Sequence, residues 1–181
     1  MKQYRIMKPL QSDGEVIVDD HWKRFTDRKL NDGKEVIAIG WSEDLEIDLG
    51  SASKQDVYEY VYSKYGNGKP RVAHAATNNL WNFIHVMKTG DEVIVCKGYS
   101  GNQKKPLHVY GIAEIIGKAW NHTDTRWHFH LKREVKYHQI IEDGFDITKF
   151  KALIGKGSLR RTIHKIDEDA FLKTKEWLLK Y

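Results

Sequence analysis

The feature that most restricts the fold is a change of hydrophobic period at Gly90: apolar residues before it recur largely at helical spacing, and those after it fall in strand-like blocks. Asp91–Cys96 (DEVIVC) and Leu107–Ile116 (LHVYGIAEII) are apolar, β-branched runs on either side of the loop KGYSGNQKKP. Arg126–Tyr137 (RWHFHLKREVKY) alternates bulky and polar side chains and is long enough to curve. Two earlier segments have the same character: YRIMKPL, expected to stop at Pro9, and Glu35–Trp41 (EVIAIGW), a buried strand ending in Gly–Trp. A strand-rich chain with helices inserted between its early strands predicts an α+β fold built on a closed or nearly closed β-barrel.

The helices carry their own start and stop signals. Asp19 or Asp20 is placed to cap a short turn holding Trp22 and Phe25. Ser53 reads as an N-cap with Asp56 in the position of a capping-box acid; Val57, Tyr60, Val61 and Tyr65 follow at helical spacing, and Gly66 ends the run. After the loop GNGKPR, Thr77 is read as the cap of a second helix whose Leu80, Phe83, Ile84 and Met87 form one apolar stripe, closed by Gly90. Asp167 begins a final helix over 168–180, with Ile166 and Phe171 as a hydrophobic staple and Trp177 in the core. This helix either packs on the barrel or leads onward to a further domain. The expected division is a barrel domain over 1–165 and a helical appendage over 166–181.

Composition narrows the class. With 40% hydrophobic and 12% aromatic residues the chain can bury a core and is not a disordered segment. The lone Cys96 has no internal partner, which fits a reducing compartment. No stretch approaches 18 uncharged apolar residues and MKQYRIMKPL lacks a signal-peptide core, so the expectation is a cytoplasmic protein with no membrane partner. The net charge of +5 is unevenly spread: 149–165 carries Lys149, Lys151, Lys156, Arg160, Arg161 and Lys165 without an acid, whereas acids gather in 42–59 and 167–176. A basic side opposed to an acidic one is the footprint of a nucleic-acid binder.

Catalytic motifs are missing. GNGKPR and GKGSLRRT lack the spacing of a phosphate-wrapping P-loop, and no G-x-S-x-G elbow occurs. His128 and His130 share a strand face, but only Cys96 or His138 offer further metal donors, so no metal and no cofactor is assigned. Glu134–Val135–Lys136 matches the acid-x-Lys element of Mg²⁺-dependent nucleases, with Asp91 or Asp124 as the second acid. A strand of alternating charge explains the same triplet, and the nuclease stands as an alternative. The chain is read as a non-catalytic binding domain.

Four of the six tryptophans, Trp22, Trp41, Trp120 and Trp127, sit at expected strand ends or beside loops, where an indole can stack on a base. The order of segments resembles the PUA-like superfamily in its EVE and YTH branches. The similar stretches are YRIMKPL, the aromatic turn IAIGWSEDLE, the series Asn78, Asn79, Leu80, Met87, Lys88, Gly90, Asp91 and Val93, and the strand VYGIAEI. Trp41 and Trp120 correspond in place to the cage tryptophans of the YTH branch. Ser42–Glu43–Asp44 departs from the usual EVE turn, and residues 53–76 form a long insertion. The pairing of I-G-W-S with L-W-x-F-x-x-x-M-K-x-G-D also resembles the N-terminal reader domains of McrB-type restriction proteins.

The resemblance implies a reader of modified, methylated bases in DNA that flips a base into an aromatic pocket. It also implies an AAA+ GTPase motor and a nuclease subunit as partners. Trp41 and Trp120 would sandwich the base, with Trp22 nearby and Ser42, Asn78 and Asn79 reading its edge. Lys97, Lys104, Lys105, Arg160 and Arg161 would grip phosphates. RNA is the alternative ligand, since PUA-like barrels also serve it and the same chemistry binds both.

Overall fold

The computed structural model describes residues 1–10, 24–40, 48–97, 108–121, 131–146 and 162–180. Its strands are β1 (Tyr4–Leu10), β2 (Glu35–Ile39), β3 (Glu92–Lys97), β4 (His108–Asn121), β5 (Leu131–Asp146) and β6 (Ile163–Ile166). The helices are α1 (Lys54–Tyr65), α2 (Pro70–Trp81) and α3 (Glu168–Leu178). The strands form one mixed sheet in the order β2-β5-β4-β3-β1-β6, with β1 and β3 parallel and the other neighbours antiparallel. This is the α+β architecture expected from the sequence.

The sheet is rolled. Four strand spacings separate β1 from β2 in that order, about 19 Å if the sheet were flat. Their Cα atoms nevertheless come within 8 Å of one another. Only strong curvature brings the first and fifth strands of a sheet together, and that is the barrel geometry the strand-rich second half predicts.

Alternation along the central strands explains why they are so apolar. Val93 and Val95 of β3 and Met7 of β1 face the larger core, where they meet Val57, Val61, Leu80, Phe83 and Met87 from the helical side. Ile94, Cys96 and Ile6 face a second cluster, which Phe171 and Leu178 of α3 cover. Strands covered on both faces need apolar residues at every position, hence the uninterrupted run VIVC. The helix α3 therefore packs on the sheet, with Ile166 and Phe171 in one cluster as the staple pattern predicts. Trp177 packs edge-on against Phe145 at 4.4 Å. No helix among the described residues is long and apolar enough to cross a membrane.

Local signals held unevenly. The capping box forms as expected: Ser53 Oγ accepts the Asp56 N–H at 3.2 Å and Asp56 Oδ2 accepts the Ser53 N–H at 2.8 Å. Both bonds are exposed, so Ser53→Ala is expected to cost about 1 kcal/mol in urea unfolding. Thr77 is not a cap. It lies buried inside α2, which starts at Pro70 with Lys69 before it, because proline at the first helical position needs no N–H. Pro9 does not end β1 either; the strand runs to Leu10, and its register with β3 slips between Met7 and Leu10. The turn expected around Asp19, Asp20 and Trp22 lies outside the described residues, although Phe25 is fully buried.

Candidate functional site

The end of β4 is bent by the sequence itself. Ile115 pairs with Val135 and Ala119 with Arg133, so β4 carries two more residues than β5 across this interval. Gly117 sits in the excess, where a Cβ would lie 2.8 Å from the Glu134 Cβ. Glycine alone allows this approach. A bulge of this kind bends a strand and re-aims the side chains beyond it. Those are Ala119, Trp120 and Asn121, which pair with Arg133, Lys132 and Leu131. Trp120 is therefore on a strand that runs past Ile116, where the sequence reading ends it.

Ala119, Trp120, Asn121 and Leu131 form one side of a pocket of about 170 Å³. The remainder comes from Asp48, Leu49 and Gly50 and from Ile84. Trp120 is half-buried against the larger core. The Lys34 ammonium stands 4.9 Å from the centre of its ring and 3.8 Å from Glu134 Oε2. A cation over an indole face steadies the ring and leaves positive charge beside the pocket.

The Asp48–Gly50 turn is self-braced. Asp48 Oδ2 accepts from Ser51 Oγ and Oδ1 accepts from the Gly50 N–H, both at 2.9 Å. Those bonds, the Ser51 hydroxyl first, hold the Asp48 carboxyl below the usual carboxylate range. It is thus an ionised acceptor at neutral pH.

The opposite wall depends on an irregular helix. Past Trp81 the backbone widens into a π turn over Asn82–Val86, closed by the Met87 N–H donating to the Asn82 carbonyl at 2.8 Å. The wider turn places Phe83 in the core and Ile84 in the pocket wall. Two side chains fix it. His85 Nε2 lies 3.1 Å from the Leu49 carbonyl, which must accept, so the proton is on that nitrogen. The His85 ring also packs on Trp81 at 4.0 Å. Arg133, almost fully buried, donates to the Met87 carbonyl at 2.6 Å and to the Ile84 carbonyl at 3.0 Å. A cation at the last carbonyls of a helix satisfies groups that have no helical partner. Neither Arg133 nor His85 belongs to a pattern legible in the sequence.

Of the other residues expected at the site, Asn78 is exposed and Asn79 half-buried near the end of α2, where their carbonyls accept the Asn82 N–H. The structure does not bring them into the lining of the Trp120 pocket. Lys97 is the last residue of β3. Trp22, Trp41, Ser42, Lys104, Lys105, Arg160 and Arg161 lie outside the described residues, as do Trp127, His128 and His130. The pocket residues missed were Asp48, Leu49, Gly50, Ile84, Ala119, Asn121 and Leu131. Asp–Leu–Gly was the one readable signal, since aspartate two before glycine makes a braced turn.

Of the residues of the acid-x-Lys alternative, Glu134 and Asp91 are engaged, and Asp124 lies outside the described residues. Glu134 pairs with Lys34, and Asp91 accepts the Gln3 N–H at 3.0 Å and the Lys88 N–H at 3.1 Å. Among the described residues, no three His, Cys, Asp or Glu side chains converge as a metal site.

Residues 24–167 match the model of a family described as Domain of unknown function (DUF8426). No curated protein matches the chain. Among solved structures it is similar to the Mmi1 YTH domain in complex with RNA, at 11% identity and a TM-score of 0.48, covering 99% of this chain and 79% of that one. The YTH domain of Zygosaccharomyces rouxii MRB1, in complex with N6-methyladenosine RNA, is similar at 12% identity and a TM-score of 0.45, covering 99% and 88%. Human THYN1, in complex with DNA containing 5-methylcytosine, is similar at 12% identity and a TM-score of 0.44, covering 97% of each chain.

Proposed function

We propose, given that the chain belongs to the family described as Domain of unknown function (DUF8426), that it is a non-catalytic nucleic-acid reader. Its ligand is a single modified base held in the Trp120 pocket. One observation carries this reading: a half-buried indole near the end of β4, under a lysine ammonium, lining a pocket whose polar residues among those described include Asp48 and Asn121. Sites that enclose a drug-sized ligand run to roughly 300–1,000 Å³. At about 170 Å³ this one suits a single flat ring system. Stacking on the indole holds the ring, the two polar side chains meet its edge, and Leu49, Ile84 and Leu131 supply apolar contact for a methyl group.

The finer reading is duplex DNA carrying a methylated base that is flipped out of the helix. Flipping costs a few kcal/mol, and stacking at about 1–3 kcal/mol per aromatic contact offsets it. Trp41 is the proposed second wall. It follows Ile39, the last residue of β2, by two positions, and Ile39 pairs with Leu131 of the pocket. Ser42 and Trp22 are assigned nearby, and Lys97, Lys104, Lys105, Arg160 and Arg161 to the phosphates. The biological setting is the targeting module of a McrBC-type system, whose AAA+ GTPase motor and nuclease subunit act on what this domain finds.

The test is a titration of duplex DNA with and without one methylated base, run beside single-stranded RNA. Trp120→Ala is expected to weaken binding to the modified duplex by about 10- to 100-fold, the worth of one stacked base. The weak, salt-dependent attraction to backbone phosphate is expected to survive. Equal affinity of wild type and Trp120→Ala for the modified duplex would remove the pocket from the function. Tighter binding of RNA than of either duplex would reassign the ligand.

A further inference from the structure

The pocket's polar equipment is lopsided in a way that bears on which bases it accepts. Asp48 is the charged side chain in the lining, and Asn121, which both donates and accepts, is the neutral polar one. The Asp48 oxygens already take one hydrogen bond each, from Gly50 and Ser51. An ionised carboxylate offers about four lone-pair sites and no proton, so roughly two acceptor sites remain. The Leu49 carbonyl, the adjacent acceptor on the same turn, is engaged by His85. Among the described residues, the turn thus places a solvent-exposed carboxylate with free acceptor capacity beside the pocket that Trp120 lines.

We propose that this pocket selects for an exocyclic amino group on the base, with Asp48 as the residue that reads it. The inference rests on the reading of the Trp120 pocket as a base site. An amino group gives its N–H to the carboxylate. A carbonyl oxygen at the same ring position meets the carboxylate with like partial charge and no proton between them. Cytosine and adenine derivatives qualify; the matching oxo bases, uracil, thymine and hypoxanthine, do not. Methylation at ring carbon 5 leaves the amino group intact, and a single methyl on the amino nitrogen leaves one N–H. Two methyls on that nitrogen remove both.

The decisive comparison is 5-methylcytosine against thymine, which share the 5-methyl group and differ at position 4 by amino against oxo and at N3 by a lone pair against an N–H. Each is placed once in an otherwise identical single-stranded DNA, so that unpairing contributes nothing to the difference, and affinity is read by fluorescence anisotropy. Wild type is expected to favour 5-methylcytosine by about three- to tenfold, the worth of a hydrogen bond to a charged group that solvent partly screens. Asp48→Asn keeps the oxygen that accepts the Gly50 N–H but adds donors, so the preference is expected to fall below about twofold or reverse. Asp48→Ala is expected to abolish the preference without reversing it. Circular dichroism of both variants identifies any loss of fold, and Ser51→Ala, which leaves the carboxylate in place, is expected to retain discrimination.

Equal binding of the two probes by wild type, or an undiminished preference in folded Asp48→Asn, overturns this inference. Trp120→Ala run alongside separates the failures. Trp120-dependent binding that ignores the amino group sinks the Asp48 assignment alone. Binding that does not depend on Trp120 sinks the base pocket and this inference together.

Discussion

Replacing Arg133 by alanine is expected to destabilise the fold by about 3–5 kcal/mol, the cost of two buried carbonyls left without partners and of the cavity. The guanidinium satisfies the Met87 and Ile84 carbonyls at the end of the π turn and lies 5.7 Å from the Phe83 ring centre. Burial has a cost of its own: it pulls the Arg133 pKa down to about 10. That penalty is already met in the native state, whereas deletion leaves two buried carbonyls without partners at about 1–3 kcal/mol each, and a cavity as well. Arg133→Met, which refills the space and removes the charge, is expected to lose less than Arg133→Ala. Urea unfolding of the three proteins measures the order. An unchanged midpoint in Arg133→Ala would mean the π turn does not need its cation. Because Ile84 forms the pocket wall, affinity for the modified base is expected to fall in step with stability in this series.

The second large effect concerns a buried lysine that carries no mark in the sequence. Lys8 is 2% exposed in β1, and burial lowers its pKa from 10.5 to about 8. Between those values the unfolded chain holds the proton and the native state does not, so stability climbs with pH by about 1.4 kcal/mol per unit. Cys96, equally buried, works the other way. Burial lifts its thiol from 9.0 to about 12, so above pH 9 the native state keeps a proton the unfolded chain has released, and stability falls with the same slope. Together they confine the rise to pH 8–9, a gain of about 1.4 kcal/mol, with a plateau above it. In Cys96→Ala the climb is expected to continue toward pH 10, where Tyr137, raised by its own burial, begins to oppose it. In Lys8→Met the rise is expected to vanish. Urea titrations at each pH decide. A wild-type curve that is flat or falling from pH 8 to 9 rules out the buried ammonium as the cause.

The local code was readable where a few adjacent residues settle the matter. Ser53 and Asp56 announce α1 because both capping partners lie within one turn. The stripe Leu80, Phe83, Ile84 and Met87 was correct in spacing, and all four pack in or against the larger core. Its starting point was misjudged, since Pro70 marks a helix only by tolerating the first position, while G–N–G before it reads as loop. The apolar run that marks β4 in the sequence ends at Ile116, whereas in the sheet Gly117 belongs to a bulge, visible only beside Glu134. The four residues of β6 are too few to set a period. The pocket shows the same divide. Trp120 stood out as an aromatic near a strand end, but its companions come from three separate stretches of chain and carry no pattern until the sheet rolls up. Asn78 and Asn79 attracted attention through their neighbours in sequence, and helix geometry turned them elsewhere.

The position of β1 has a consequence for how the molecule is assembled. This strand lies between β3, its parallel neighbour, and β6, so both of its partners come from distant parts of the chain. Joining remote segments spends entropy before any pairing returns it, which slows the approach to the native state with little effect on its final depth. A nascent copy therefore holds an incomplete cylinder, with one flank of β1 uncovered, until Ile163–Ile166 has been made.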